Sequence, residues 1–281
     1  MFGVGLIGGS FALALKSAGA VRRVVGVGRT AGSISRALAL GVIDEAGKDA
    51  GAARGADLVL LAMPVGQTRE VMRALAPHLE EPTVVTDAGS TKRDVVQHAE
   101  TELGGALARF VPAHPIAGAE HSGVDAASAT LYQGRTVVLT PLPQTSERAA
   151  ALVEQAWEAC GAQVQRMAPR EHDEVFAAVS HLPHLLAFAL VDLVAGHANA
   201  GRLFEHAASG FRDFTRIASS HPEMWRDICM SNRDALLAEL SGYEAELAQL
   251  RAILDRGDAG ALQAVFERAR AARNRWLESL K

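Results

Sequence analysis

The chain has 281 residues, 49% of them hydrophobic and 21% charged, with a formal net charge of -4. That is enough apolar material for one large domain or two ordinary ones, and it gives no electrostatic pull toward nucleic acid or an anionic membrane. Two cysteines, Cys160 and Cys229, cannot make a disulfide framework and fit a reducing cytoplasm, and no apolar run approaches the ~18–20 residues that span a bilayer.

The chain opens with MFGVGLIGGS, where Gly3, Gly5 and Gly8 fit G-x-G-x-x-G ahead of a helical stretch that ends at Gly19. In such a turn Gly3 makes the tight bend, Gly5 lets the backbone approach a pyrophosphate, and Gly8 lets helix and strand pack closely. Leu6 and Ile7 then start a helix whose free N–H groups suit phosphate. The motif needs a strand before it, and only Met1 and Phe2 precede Gly3. The expectation is that the natural start lies upstream of Met1 or that the strand is unusually short.

A second strand spans 23–28 and ends in Gly28-Arg29-Thr30. No carboxylate stands there to bind a ribose 2′-hydroxyl or repel a 2′-phosphate, while Arg29 and Thr30 could hold one. This leans toward NADP over NAD, the alternative being that Arg29 stacks on the adenine or faces water. A helix covers 33–41, and the stretch 57–64 is apolar after Asp57, as for a strand covered on both faces. Its last residues, Met63 and Pro64, fall at the cofactor edge. A helix over 65–79 and strands over 82–90 and 134–141 complete a β-α-β alternation. After a Pro- and Ser/Thr-rich connection at 140–147 comes a short strand over 162–167, then helical patterns to Lys281 whose apolar surplus suggests packing on a second copy. The fold class is α/β: a Rossmann-type, doubly wound, mostly parallel sheet over 1–143, then an all-helical dimerisation domain over 144–281.

Four further stretches carry candidate chemistry. TDAGSTK (86–92) lies where a strand ends and a helix begins, the edge at which open α/β sheets bind ligands. Ser90 there is either a helix N-cap or a hydroxyl offered to substrate, and Lys92 either serves an anion or is solvated. PAHPIAGAEHSG (112–123) reads as an irregular loop in which His114 could act as a base near neutral pH. In SHLPHLLAFAL (180–190), His181 and His184 open an apolar helix, a place that favours neutral histidine or a bound anion. Their spacing argues against a metal. In FRDFTRIASSHPEMW (211–225), Arg212 and Arg216 are four apart and share a helix face, where an anionic ligand would relieve their repulsion. The alternative is one solvated arginine and one paired with Asp213 or Asp227.

In this order GVGLIGGS, TDAGSTK, HPIAGAEHSG, SHLPH and FRDFTRIA…MW resemble the prephenate dehydrogenase family, the prephenate and arogenate dehydrogenases of tyrosine biosynthesis, over essentially the whole chain. The resemblance implies oxidative decarboxylation of prephenate to 4-hydroxyphenylpyruvate with a nicotinamide cofactor, or of arogenate to tyrosine. It implies His114 as the catalytic histidine at the substrate hydroxyl, Ser90 as the serine orienting both, and Glu120 as an acidic residue near the site mouth. Arg216 would grip a substrate carboxylate with Arg212 assisting, and His184, with His181, would line the site. A homodimer with intertwined helical domains, in the cytoplasm, completes the implication. A β-hydroxyacid or imine reductase would share the glycine loop but lack the HPIAGAE and FRDFTRIA pair.

Overall fold

A computed structural model describes residues 1–119 and 121–279. Its compact units are Met1–Arg233 and Asp234–Lys281. The first is organised by a parallel sheet. Strands β1 (Val25–Gly26) and β2 (Glu45–Ala46) pair in parallel, as do β3 (Leu58–Leu61), β4 (Val84–Asp87) and β5 (Phe110–Val111). Between the two groups lies Phe2, bridged in parallel to Val27 on one side and Leu61 on the other. Phe2 N–H donates to Leu60 O (2.8 Å) and Ala62 N–H to Phe2 O (2.7 Å), while Val27 N–H donates to Met1 O (2.8 Å) and Gly3 N–H to Val27 O (2.9 Å). The order β2-β1-Phe2-β3-β4-β5 is doubly wound, and the strand that serves the glycine turn is one bridging residue long.

Why these short segments are strands follows from their two-sided burial. Leu60, Val84 and Val111 join one core with Phe11, Trp157 and Val153. Val59, Leu61, Val85 and Phe110 join another with Met72, Leu75, Val95 and Ile228. Alternate residues thus serve opposite faces, so the strands read as unbroken apolar runs. Helices α1 (Leu6–Ser17) and, later in the chain, α5 (Glu147–Ala159) cover the first face. On it, the rings of Phe11 and the fully buried Trp157 lie 4.5 Å apart. Burying side chains of this size is worth about 1.5–3 kcal/mol each. Helices α3 (Thr68–Leu75) and α4 (Arg93–Glu102) cover the second face, and α2 (Ala31–Ala39) packs at the β1–β2 edge.

A further sheet joins β6 (Ala113–Pro115) antiparallel to β7 (Thr136–Leu139), which pairs in parallel with β8 (Gln163–Arg166). His114 therefore sits on a strand, opposite Val138, and not in the irregular loop expected. Pro112 and Pro115 suggested a loop, but proline is tolerated where a strand begins and at sheet edges. Helix α5 and strand β8 lie past the expected boundary at 143/144 and pack with the sheet layer.

The helical part begins with α6 (Pro169–Phe176), a π turn (Ala177–His181) and α7 (Leu182–Ala195), one uninterrupted run. Two expectations are corrected here. His181 and His184 do not open a helix: Pro183 mimics a helix start, but the chain is already helical before it. And the run 169–195 is long and apolar enough, at a mean hydropathy of 1.6 over its 18-residue core, to cross a membrane by length and composition. Ser180, His181, Pro183 and His184 break the apolar pattern that made it look too short. Helices α8 (Ala200–Glu205), α9 (Ser209–Thr215) and α10 (Pro222–Ser231) follow. The long helices α11 (Arg233–Asp255) and α12 (Ala259–Glu278) supply nearly all of the second unit, and Asp258 caps α12 by accepting from Ala261 N–H (2.9 Å).

Candidate active site

The glycine turn separates into positions that the protein's own packing demands and one that it does not. Gly3 adopts φ +94°, and a β-carbon there would fall 2.5 Å from Ala62 O; on Gly8 it would fall 2.2 Å from Gly3 O. Around Gly5 it would meet nothing within 4 Å. Gly5 is the N-cap of α1, which has no side-chain cap and no acidic residue in its first turn. The first N–H groups, at Leu6, Ile7 and Gly8, are therefore ready donors to an anion, and the open space at Gly5 lets a pyrophosphate approach. Met63 and Pro64 leave β3 alongside: the same β-carbon on Gly3 would lie 2.9 Å from Met63 N. A dinucleotide fits this cradle.

At the far end of β1, Arg29 is exposed and makes no hydrogen bond or ion pair among the described residues. Thr30 is not free to hold a phosphate. Its hydroxyl caps α2, accepting from Ser33 N–H (3.2 Å) and donating to Ser33 Oγ (2.9 Å).

The chemically active groups gather at the same carboxyl edge of the sheet, where β4 ends in Asp87 and β6 begins. The buried Asp87 carboxylate accepts from Ala113 N–H (3.0 Å), Gly89 N–H (2.8 Å) and the Lys92 ammonium (2.5 Å). Lys92 is fully buried and also donates to Ala113 O (2.8 Å). It is neither solvated nor turned outward. A buried pair of this kind is a costly but specific tie, and it fixes the 88–92 turn to the start of β6.

One residue on, His114 Nδ1 lies 2.8 Å from His172 Nε2, and His172 Nδ1 lies 2.8 Å from Asp173 Oδ1. Asp173 also accepts from the backbone N–H groups of Lys92 (2.8 Å) and Arg93 (2.9 Å). It thus caps α4 from the neighbouring helix, one of the two tasks considered for Ser90. The half-buried Ser90 hydroxyl makes no hydrogen bond among the described residues, and none joins it to His114. Burial first, then the neighbouring His172 ring and the Lys92 charge, hold His114 well below its ordinary pKa. It is a neutral imidazole at neutral pH.

The π turn brings His181 into the same cluster. Burial pushes its pKa down to about 4. The Asn232 side-chain N–H₂ donates to Asp173 O (2.7 Å) and sits 3.1 Å from His181 Nδ1. The proton of a neutral His181 is therefore on Nε2, which is buried and has no hydrogen-bond partner among the described residues. His184 stacks on Trp225, with ring centroids 3.5 Å apart at 18°, and bonds Ser180 O through Nδ1 (2.9 Å). Burial lowers its pKa, the Ser180 bond opposes this, and the Arg216 charge adds to the lowering; the Arg216–Ser219 turn packs against α7, which carries His184. Arg212 goes elsewhere: both it and Asp213, 3.8 Å away, are largely exposed. The two arginines expected on one helix are split between α9 and the 3₁₀ turn Arg216–Ser219. Glu120 lies outside the described residues.

Four participants, Asp87, His172, Asp173 and Asn232, were not singled out from the sequence. The His172-Asp173 pair near the start of α6 was the one available signal.

The model of the prephenate dehydrogenase nucleotide-binding domain matches residues 11–166, and that of the prephenate dehydrogenase dimerization domain matches residues 168–268. The chain belongs to the prephenate dehydrogenase family. As a member it is an oxidoreductase with a nucleotide-binding domain and a dimerization domain. A cyclohexadienyl dehydrogenase of Zymomonas mobilis is 37% identical over 97% of this chain and 94% of its own length. A prephenate dehydrogenase of Bacillus subtilis is 38% identical over 95% of this chain and 73% of its own. The crystal structure of prephenate dehydrogenase from A. aeolicus, in complex with hydroxyphenyl propionate and NAD+, superimposes with a TM-score of 0.92 at 39% identity, covering 98% of this chain and 96% of that one.

Proposed function

We propose that the enzyme oxidises prephenate to 4-hydroxyphenylpyruvate and CO2, with His114 taking the proton of the ring hydroxyl. The nicotinamide, when bound, accepts hydride from the ring carbon that bears this hydroxyl. The observation that carries the reading is the neutral His114, held by His172 at the carboxyl edge of the sheet that also forms the dinucleotide cradle. As hydride leaves, the hydroxyl becomes acidic, and a neutral imidazole in hydrogen-bond reach removes its proton. The ring carboxylate then departs as CO2; its bonding electrons complete the aromatic ring and turn the carbonyl oxygen into a phenolate, which takes its proton back from His114, so this chemistry asks no metal of the protein.

In the same reading the half-buried Ser90 hydroxyl orients the substrate hydroxyl. Arg216, His184 and the unpartnered His181 Nε2–H receive the carboxylates of the dianionic substrate. Arg212 plays at most a long-range electrostatic part.

For the cofactor, we infer that NADP is accepted at least as well as NAD, through Arg29, since no carboxylate stands at the end of β1 and Thr30 is engaged in its own helix. The protein acts as a homodimer joined through its helical domain, whose exposed apolar side chains include Leu193, Phe214, Leu254, Phe266 and Trp276. Formation of reduced cofactor from prephenate and from arogenate, each with NAD and NADP, tests these points together. Turnover of prephenate is expected, with kcat/KM for NADP at least equal to that for NAD. No turnover of prephenate overturns the substrate, and a strong preference for NAD overturns the role of Arg29.

A further inference from the structure

The hydrogen bonds around Asp173 leave only one way to place the protons of the two histidines beside it. Both carboxylate oxygens are acceptors, taking backbone N–H groups from Lys92 and Arg93. Burial alone would raise the Asp173 pKa, but the bonds from His172, Arg93 and Lys92 outweigh it and hold the group below its ordinary value, ionised. An ionised carboxylate has no proton to give. The contact between Asp173 Oδ1 and His172 Nδ1 at 2.8 Å therefore requires the proton on His172 Nδ1.

His172 is fully buried, and burial and the nearby Lys92 charge favour its neutral form over the opposing pull of Asp173. A neutral ring with a proton on Nδ1 is bare at Nε2. That bare nitrogen faces His114 Nδ1 at 2.8 Å, so His114 must donate from Nδ1. The lone pair of a neutral His114 is then on Nε2. Phe176 packs against both rings, its centroid 4.9 Å from that of His114 and 4.5 Å from that of His172. The charged and titratable groups facing the pair, Lys92, Asp87, Asp173 and His181, are all buried.

We propose that His172 and Asp173 are positioning residues that fix His114 in its Nδ1–H tautomer and so present Nε2 as the proton acceptor. Neither touches substrate. They act through His114, as a carboxylate sets the tautomer of a catalytic imidazole elsewhere. The proposal rests on the reading of His114 as the base.

The direct test is the tautomer of His114 in the intact protein, read from the 15N shifts of histidine-labelled enzyme at pH 7.5. The Nδ1–H form is expected, and an Nε2–H form overturns the proposal whatever the activity. The kinetic test uses two amides. His172→Gln places an acceptor oxygen near the Nε2 position, whereas His172→Asn keeps a polar group only near Nδ1. For folded variants with unchanged cofactor affinity, the Asn variant should lose about 100-fold in kcat with prephenate KM within about threefold, and the Gln variant should recover most of it. Equal activity of the Asn variant and the wild type, or equal loss in both amides, overturns the positioning role. Should His172→Asn fail to fold, the tautomer measurement decides alone. His114→Asn separates the two ideas: if it remains active the base is misassigned, while the tautomer measurement still reports on the His172–Asp173 pair.

Discussion

The cradle at Gly3–Gly8 offers a ligand backbone, and the cluster around His114 offers side chains. The cradle needs only a φ of +94° at Gly3, a missing β-carbon at Gly8 and a free helix start, all within one short stretch. The cluster needs Asp87, Lys92, His114, His172, Asp173, His181 and Asn232, brought together across the first unit and joined into one hydrogen-bonded network. A backbone site is indifferent to protonation and intolerant of added carbon. A side-chain site tolerates shape changes poorly but, above all, depends on which atoms carry protons.

The sharpest way to break this contrast is His114→Asn. It should lower kcat by about 10²–10⁴-fold with cofactor affinity unchanged. An active variant, or one that also loses the cofactor, would mean that the two regions are not separate in function.

Next in size is the response to acid. His181 is held to about 4 against an ordinary 6.5. Above pH 6.5 both folded and unfolded chains leave it neutral, and its burial carries no protonation penalty. As pH falls from 6.5 to 4, the unfolded chain takes up a proton that the folded one refuses. Stability should then fall by about 1.4 kcal/mol per pH unit, on the order of 3 kcal/mol in all. His114, His172 and His184 are shifted in the same direction. Urea unfolding at pH 7.5 and pH 4.5 measures this; equal stability at the two would break the account of a side-chain cluster buried neutral.

Arg216→Ala should raise KM for prephenate about 10–100-fold with a smaller change in kcat, the scale of a lost charged hydrogen bond. An unchanged KM removes Arg216 from the site. The smallest effect is the most diagnostic of the cradle. Gly5→Ala adds a methyl group where the protein has open space, so the melting temperature should stay within about 2 °C, while cofactor Kd rises about tenfold. A variant that melts much lower would show that Gly5 serves packing, as Gly8 does.

These two regions were also unequally legible in the sequence. The cradle could be read because its glycines are consecutive in spacing and lead into a helix, and β3 and β4 because two-sided burial leaves an unbroken apolar run. β2 and β5, at two residues each, are too short to carry any period. The His114–His172 bond spans 58 residues and the Lys92–Asp173 bond 81, and no local pattern encodes such distances. The Thr30 hydroxyl suggests a phosphate ligand, but a hydroxyl just before a helix is taken first by the nearest free N–H, here that of Ser33. Pro183 led to a helix start where the chain inserts a π turn, the device that carries His181 inward.

The single bridging residue at Phe2 has a consequence for how the sheet moves. On one side the β2–β1 edge is tied through Val27 and Met1 by few backbone bonds, and on the other Phe2 is tied to β3 by two. Parting such a seam breaks far fewer bonds than unfolding the sheet, so the edge that carries Arg29 should open as a small unit of its own, well below the global unfolding free energy. A dinucleotide reaching from Arg29 across the glycine turn would stitch that seam shut. Part of its binding energy would then appear as slowed amide exchange in the protein, and the enzyme would be stiffest only when its cofactor is in place.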